Sequence, residues 1–262
     1  MAKKKTEYEL PKKHPRTERP DRRFDTTQLK ESGTQAKGCH RDYAAHWFRW
    51  GFAINFIGKK GKRSLEIGCG QDIPLIKSLC WKMGFQPDIH VACDLNEIPP
   101  KKRYDLPWAA YHDRFNFVDD WKKLAKQYGK ESFDIITCFE VIEHMRKPDG
   151  KELLKGLRSL MAPTGTALVS TPVYNGKHMA ANHLHEYRFD ELREFFEENG
   201  LRVESVHGTF MTSQSMKRVM TDQERELVER LHQWYSWDVL ANFLAPKYPE
   251  ASSNCCWVLK RK

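Results

Sequence analysis

Glu140, Glu143 and His144 stand at spacings i, i+3 and i+4 directly after the apolar run Phe133-Asp-Ile-Ile-Thr-Cys-Phe139. If the segment after that run begins a helix, the three side chains share one face. Two carboxylates and an imidazole suit an oxygen-loving divalent ion such as Mg²⁺ or Mn²⁺, with water or substrate oxygens in the remaining positions. A fourth ligand is available downstream in Asn182-His-Leu-His-Glu-Tyr187, through His183 or His185. Without a metal, His144, His183 or His185 could each take a proton from a hydroxyl, because imidazole titrates near neutrality. The plainer alternative is that these groups only shape a pocket floor.

A second group of residues lies earlier. Leu65 and Ile67 read as the end of a buried strand, and Glu66, Gly68 and Gly70 form an acid-x-Gly-x-Gly turn. An amphipathic segment with Ile73, Ile76 and Leu79 follows. A strand, a glycine turn and a helix bring backbone N–H groups close to a nucleotide-like ligand. The run Val91-Ala-Cys-Asp94 ends in an acid 24 residues past Gly70, where a second parallel strand offers a carboxylate to ribose hydroxyls. Gly70 is followed by Gln71-Asp72-Ile73, so the three-glycine pattern of dinucleotide-binding domains is not met. Asp119, with Asp120 equally placed, is a weaker candidate for an adenine amino group and competes with a helix N-cap role before Trp121.

These residues need a frame. Strands are predicted near 63–67, 89–93, 114–118, 133–138 and 165–170. Helices are predicted near 73–83, 119–128 and 149–161. Such alternation implies a mostly parallel sheet with helices on both faces. Arg188–Gly200 reads as a helix with a glycine stop, and Arg202–His207 with Cys255–Leu259 as a final antiparallel pair. Upstream, residues 39–58 read as a helix, with Tyr43, Trp47, Trp50 and Ile54 at three- and four-residue steps. Its polar and aromatic members, His46 and Arg49 included, are candidates to cover a ligand. Residues 1–38 read as a basic, disordered leader, and 208–252 as a helical insertion before the last strand.

Taken in order, the segments resemble the class I S-adenosylmethionine-dependent methyltransferases. Leu65-Glu-Ile-Gly-Cys-Gly70 resembles their first motif, Ala92-Cys-Asp-Leu95 their second, Phe133–Met145 the fourth-strand motif and Gly165–Pro172 the fifth strand. The resemblance covers roughly residues 60–260. It implies a doubly wound, seven-stranded, Rossmann-like α/β sheet with a terminal antiparallel strand, preceded here by the helical extension. It implies S-adenosylmethionine held by Glu66, Gly68, Gly70, Asp94 and Asp119, with Glu140 at the pocket floor. Where many members have a third glycine this chain has Asp72, which could meet the cofactor's ammonium group. The Glu-x-x-Glu-His run resembles two subgroups, the small-RNA 3′-terminal 2′-O-methyltransferases and the ubiquinone-biosynthesis O-methyltransferases. By that likeness Glu140, Glu143, His144 and His183 hold Mg²⁺ or Mn²⁺, with His185 as the substitute for His183.

Composition bounds the partners. The formal charge is +9, and residues 1–23 carry nine Lys and Arg against four Asp and Glu. A basic tail can meet nucleic-acid phosphates, or simply be solvated. Deleting residues 1–30 is expected to leave fold and cofactor affinity intact. No apolar stretch reaches the ~18 residues that span a bilayer. Seven scattered cysteines without Cys-x-x-Cys pairs point to a reduced, cytoplasmic chain. The expected acceptor is a small-molecule or nucleotide hydroxyl. A nucleic-acid methyltransferase using the tail and a non-catalytic cofactor-binding scaffold are the rival readings. The Asp/Asn-Pro-Pro-Tyr/Phe signature of amino-methylating DNA enzymes is absent.

Overall fold

A computed structural model describes residues 23–24, 41–57, 61–81, 87–177 and 179–262. The disordered-leader expectation for 1–38 falls outside these residues except at Arg23 and Phe24, and so does the basic tail of the nucleic-acid reading. The elements in chain order are α1 (Arg41–Ile57), β1 (Arg63–Ile67), α2 (Pro74–Trp81), β2 (Ile89–Cys93), β3 (Ala109–His112), α3 (Phe117–Tyr128) and β4 (Phe133–Phe139). They continue with α4 (Lys147–Leu160), β5 (Met161–Pro172), α5 (Phe189–Glu198), β6 (Leu201–Phe210) and α6 (Ser213–Val219). The last are α7 (Asp222–Leu231), α8 (Trp237–Leu244) and β7 (Asn254–Arg261).

The seven strands form one sheet in the order β3-β2-β1-β4-β5-β7-β6. β1 to β5 are parallel, and β7 inserts antiparallel to both β5 and β6. The strand order reverses beside β1, so its carboxyl end and that of β4 open the crevice where such sheets bind ligands. Alternate residues supply two apolar layers. Leu65, Val91, Ile136 and Trp257 pack on the α3–α4–α5 face, and Ala92, Ile135, Leu168 and Val258 on the α1–α2 face. Cys255 and Cys256 fall on opposite faces, as their adjacency in a strand requires. Among the described residues no helix is long and apolar enough to cross a membrane.

One strand lies earlier than the sequence suggested. The third strand is Ala109–His112, and 114–118 is a short connection ending in the first residues of α3, which starts at Phe117. The alternation of Phe115 and Phe117 mimics a strand. Asn116 decides otherwise, because its side-chain oxygen accepts the Val118 N–H and caps α3. At the other end of α5, Gly200 takes φ +78°, the left-handed conformation that a helix stop favours.

The helices between β6 and β7 bury a small core of their own around Met211, Met216, Leu240 and Ala241. They close onto β6 at Gly208, where a Cβ would lie 2.2 Å from the Ala245 carbonyl oxygen and 2.1 Å from Ser252 Oγ. Backbone cannot yield as a side chain can. Gly208→Ala is therefore expected to destabilise the chain by about 1–3 kcal/mol through overpacking. A thermal melt reads this, and an unchanged midpoint would mean that strand and turn are not in contact in solution.

Candidate functional site

The glycine turn leaves β1 with Gly68 at φ +75° and Gly70 at φ +68°. The N–H groups of Gly68 and Cys69 both donate to the Cys93 carbonyl at 2.9 and 3.2 Å, tying the turn to the end of β2. Asp94 completes the tie. Its Oδ2 accepts the Gly70 N–H and its Oδ1 the Asn96 N–H, each at 2.8 Å. A Cβ on Gly68 would lie 2.3 Å from Val141 Cγ2, whereas one on Gly70 would meet nothing within 4 Å. Gly70 thus faces open space, a cavity of about 460 Å³ whose wall includes Asp94, Asn116, Val118 and Glu140.

Several sequence-predicted residues sit differently from expectation. Glu66 does not orient the turn with its side chain. Its buried Oε2 pairs with His90 Nε2 at 3.1 Å, and His90 Nδ1 in turn meets Ser64 Oγ at 2.8 Å. Burial pushes the Glu66 carboxyl up, with His90 opposing. Asp72 stands at the cavity rim but is exposed and paired with Lys102, which holds it below the usual carboxylate range. Asp119 is not part of the cavity wall. Its oxygens receive Arg23 Nη2 and Nη1 at 2.9 and 3.0 Å and Asn116 Nδ2 at 2.7 Å. The wall at that point is Asn116, Phe117 and Val118.

No helix begins at Glu140. The residue has φ +56°, and a 3₁₀ turn spans Ile142–His144. This break separates Glu140 from the other two, so the shared face predicted from i, i+3, i+4 spacing does not form. Glu140 accepts Ser170 Oγ at 2.7 Å and Asn254 Nδ2 at 2.8 Å, and lies 3.4 Å from Arg49 Nη1. Burial pushes it up, but Arg49 and the Ser170 hydrogen bond outweigh burial and keep it ionised below its ordinary value. It is thereby drawn out of the metal-ligand set. Arg49 itself is buried, with Nη2 2.5 Å from His46 Nδ1 and with its Nε buried and unpartnered among the described residues.

Glu143, His144 and His183 do come together, each offering a ligand atom within 4.8 Å of the others. The two rings meet edge to face with centroids 4.9 Å apart. His144 Nδ1 lies 3.1 Å from the Asn182 carbonyl, and His183 Nδ1 2.5 Å from Glu186 Oε1. Both partners only accept, so each Nδ1 carries the proton and each Nε2 keeps a lone pair. Glu143 Oε2 accepts Thr171 Oγ1 at 3.1 Å, and its Oε1 is buried with no partner among the described residues. Burial, then the charge of Glu140, pushes Glu143 up to about 8. The Glu143 carbonyl accepts the N–H groups of Leu184 and His185, which pins the 180s loop against the 3₁₀ turn. His185 is outside the cluster. It packs edge-on against Tyr187 and points its Nε2 to Glu191 of α5 at 3.6 Å, because the chain bends at Leu184 between the two histidines.

His144 and Asn182 border the cavity, so cluster and cavity are continuous. Sequence reading missed Glu186, Ser170 and Asn254, and gave Arg49 only a covering role. One signal was present for Glu186, its i+3 spacing from His183. Asn254 carried none, since its contact with Glu140 spans 114 residues.

Residues 42–230 match a family model described as a methyltransferase domain. The chain is similar to the ubiquinone biosynthesis O-methyltransferase of Pseudomonas aeruginosa (strain LESB58), 30% identical over 133 residues, which are 47% of this chain and 52% of that protein. The chain spans about half the length of the curated relatives it matches. Among solved structures, a Burkholderia thailandensis 1,6-didemethyltoxoflavin-N1-methyltransferase with bound S-adenosylhomocysteine superposes with TM-score 0.54 at 14% identity, covering 84% of this chain and 80% of that one. A small RNA methyltransferase superposes with TM-score 0.56 at 16% identity, covering 88% of this chain and 27% of that one. At such identities these structures establish the shared fold alone.

Proposed function

We propose that the chain, which belongs to the methyltransferase-domain family and has the class I sheet order, transfers a methyl group from S-adenosylmethionine to a hydroxyl group with the Glu143–His144–His183 cluster at the acceptor end. The observation that carries this reading is the cluster itself: a buried carboxyl oxygen without a partner among the described residues, beside two imidazoles whose Nδ1 atoms face acceptors and leave Nε2 available. The named activity of the curated relative, O-methylation, supports it.

For the donor, the residues present fit. Gly70 leaves room that a Cβ would fill. Each Asp94 oxygen uses one lone pair on backbone, leaving others for a ribose diol. Arg49, a residue of the cavity wall whose Nε has no partner among the described residues, suits the donor's carboxylate. Bound S-adenosylmethionine supplies an electrophilic sulfonium methyl group that an aligned oxygen displaces, so positioning alone contributes much of the rate.

The acceptor hydroxyl must lose its proton as it reacts. Glu143, His144 and His183 would hold a divalent ion, which lowers the pKa of a hydroxyl it binds. Two imidazoles and one carboxylate favour Mn²⁺ or another transition ion over Mg²⁺. Glu140, neutralised by Arg49, would then shape the site rather than ligate. A second reading is favoured by the Glu186–His183 contact: a carboxylate on Nδ1 makes Nε2 a better base, and His183 would take the proton directly. The experiment is transfer of a labelled methyl group to a panel of catechols, phenols, ribose hydroxyls and amines. Label recovered as a hydrolysis-resistant methyl ether is expected. Label on nitrogen alone would sink the hydroxyl assignment.

A further inference from the structure

We propose that Arg23 and Phe24 belong to the methyl-donor site, with the Phe24 ring forming the wall against the purine and Arg23 clasping it in place; the inference rests on the donor reading above. Phe24 pairs by its backbone with Met145 in an antiparallel bridge. Its side chain packs on the main core and borders the cavity beside Phe117, Met145 and Leu153. That stretch of wall is apolar, whereas Arg49, His46 and Glu140 make another stretch polar. A donor that carries a flat base at one end and a charged amino acid at the other matches this division. Aromatic rings hold bases by stacking or edge contact, without selecting on hydrogen bonds.

Arg23 explains why the ring stays. Its guanidinium donates from Nε to Asp149 Oδ1 at 2.7 Å and from its two Nη atoms to both oxygens of Asp119, and it lies 5.0 Å from the centre of the Phe24 ring. Asp119 and Asp149 sit in the first turns of α3 and α4, where the helix ends favour negative charge. Two helix N-termini thus present a pair of acids, and one cation, bidentate to Asp119, bridges them next to Phe24. Asp119, taken from the sequence as an adenine ligand, serves the donor through Arg23 and Phe24. The expectation that deleting residues 1–30 leaves cofactor affinity intact is reversed.

The test is calorimetric titration of the full chain with S-adenosylhomocysteine and with methylthioadenosine, which lacks the amino-acid end. Phe24→Ala is expected to weaken both ligands by about tenfold, the scale of one aromatic contact. Arg23→Met should weaken both as well, and the double variant should lose little more than Phe24→Ala alone. Arg49→Ala should weaken S-adenosylhomocysteine only. Asp94→Ala serves as the control for the donor site. If Asp94→Ala loses affinity and Phe24→Ala does not, the clasp is wrong and the donor site stands; if neither does, the donor site is wrong. A Phe24→Ala loss confined to S-adenosylhomocysteine would overturn the purine assignment. Trypsin cleavage after Arg23 in the unmodified chain gives a readout independent of variant folding. Saturating S-adenosylhomocysteine should slow it several-fold, and equal rates with and without ligand would overturn the clasp.

Discussion

Asp94→Ala should weaken S-adenosylhomocysteine binding roughly ten- to a hundredfold, the scale of about 1.5–3 kcal/mol for hydrogen bonds to a charged group. Two losses combine. The carboxylate would no longer face a ribose diol. It would also release the Gly70 and Asn96 N–H groups that it holds at 2.8 Å, so the turn loses its tie to β2. Asp94→Asn separates the two. An amide keeps one acceptor oxygen for a backbone N–H but puts a donor where the second was accepted. It should therefore bind between wild type and alanine. Gly70→Val acts by another route, filling the cavity and forcing a β-branched residue to φ +68°. Titration calorimetry reads all three. If Asp94→Ala and Gly70→Val both bind as tightly as wild type, the donor lies elsewhere.

Local physics governs the part of this site that sequence made legible. The glycine turn and Asp94 follow from a strand ending, a backbone that must approach a ligand and an acid at the next strand end. The first two are local, and the third needs only the pairing of β1 with β2, which brings Asp94 to the Gly70 N–H. The Glu140–His144 run failed at one torsion. Periodicity treats the residues after β4 as helix, while Glu140 takes φ +56° and its carboxylate is drawn to Arg49, Ser170 and Asn254. Those partners come from α1, β5 and β7, and only the sheet order brings them together. The third strand was misplaced for a related reason. Phe115 and Phe117 alternate like strand residues, but both are buried in the core on the α3–α4–α5 face, Phe117 as the first residue of α3. His183 and His185 could not be ranked by spacing, since the choice depends on the bend at Leu184 that turns them apart.

Glu143→Gln, and chelation of the unaltered chain, should have the largest effects on turnover, and the pH dependence of stability gives an independent check. In chelator, Glu143 is protonated in the folded chain up to about 8 but titrates near the ordinary carboxylate value of 4.5 when unfolded. Between these values the native state binds the extra proton, so the stability it contributes is full at low pH and declines as pH rises toward 8. Glu143→Gln should flatten that decline, since an amide does not titrate. Mn²⁺ should work in the opposite sense, replacing the proton and raising the melting temperature more at pH 8 than at pH 6. The same substitution should abolish this Mn²⁺-dependent shift, because it exchanges a charged oxygen ligand for a neutral one. Turnover should vanish in chelator with S-adenosylhomocysteine affinity preserved, and Mn²⁺ should restore it. Full turnover in chelator, with no Mn²⁺ effect on melting, would remove the metal and leave His183 as the base. Glu186→Gln then becomes the informative variant. It keeps a hydrogen-bond acceptor on His183 Nδ1 but removes the charge that supports the imidazolium. A lower kcat with S-adenosylhomocysteine affinity preserved would assign the proton to His183. An unaltered kcat would take the acceptor chemistry away from this histidine as well.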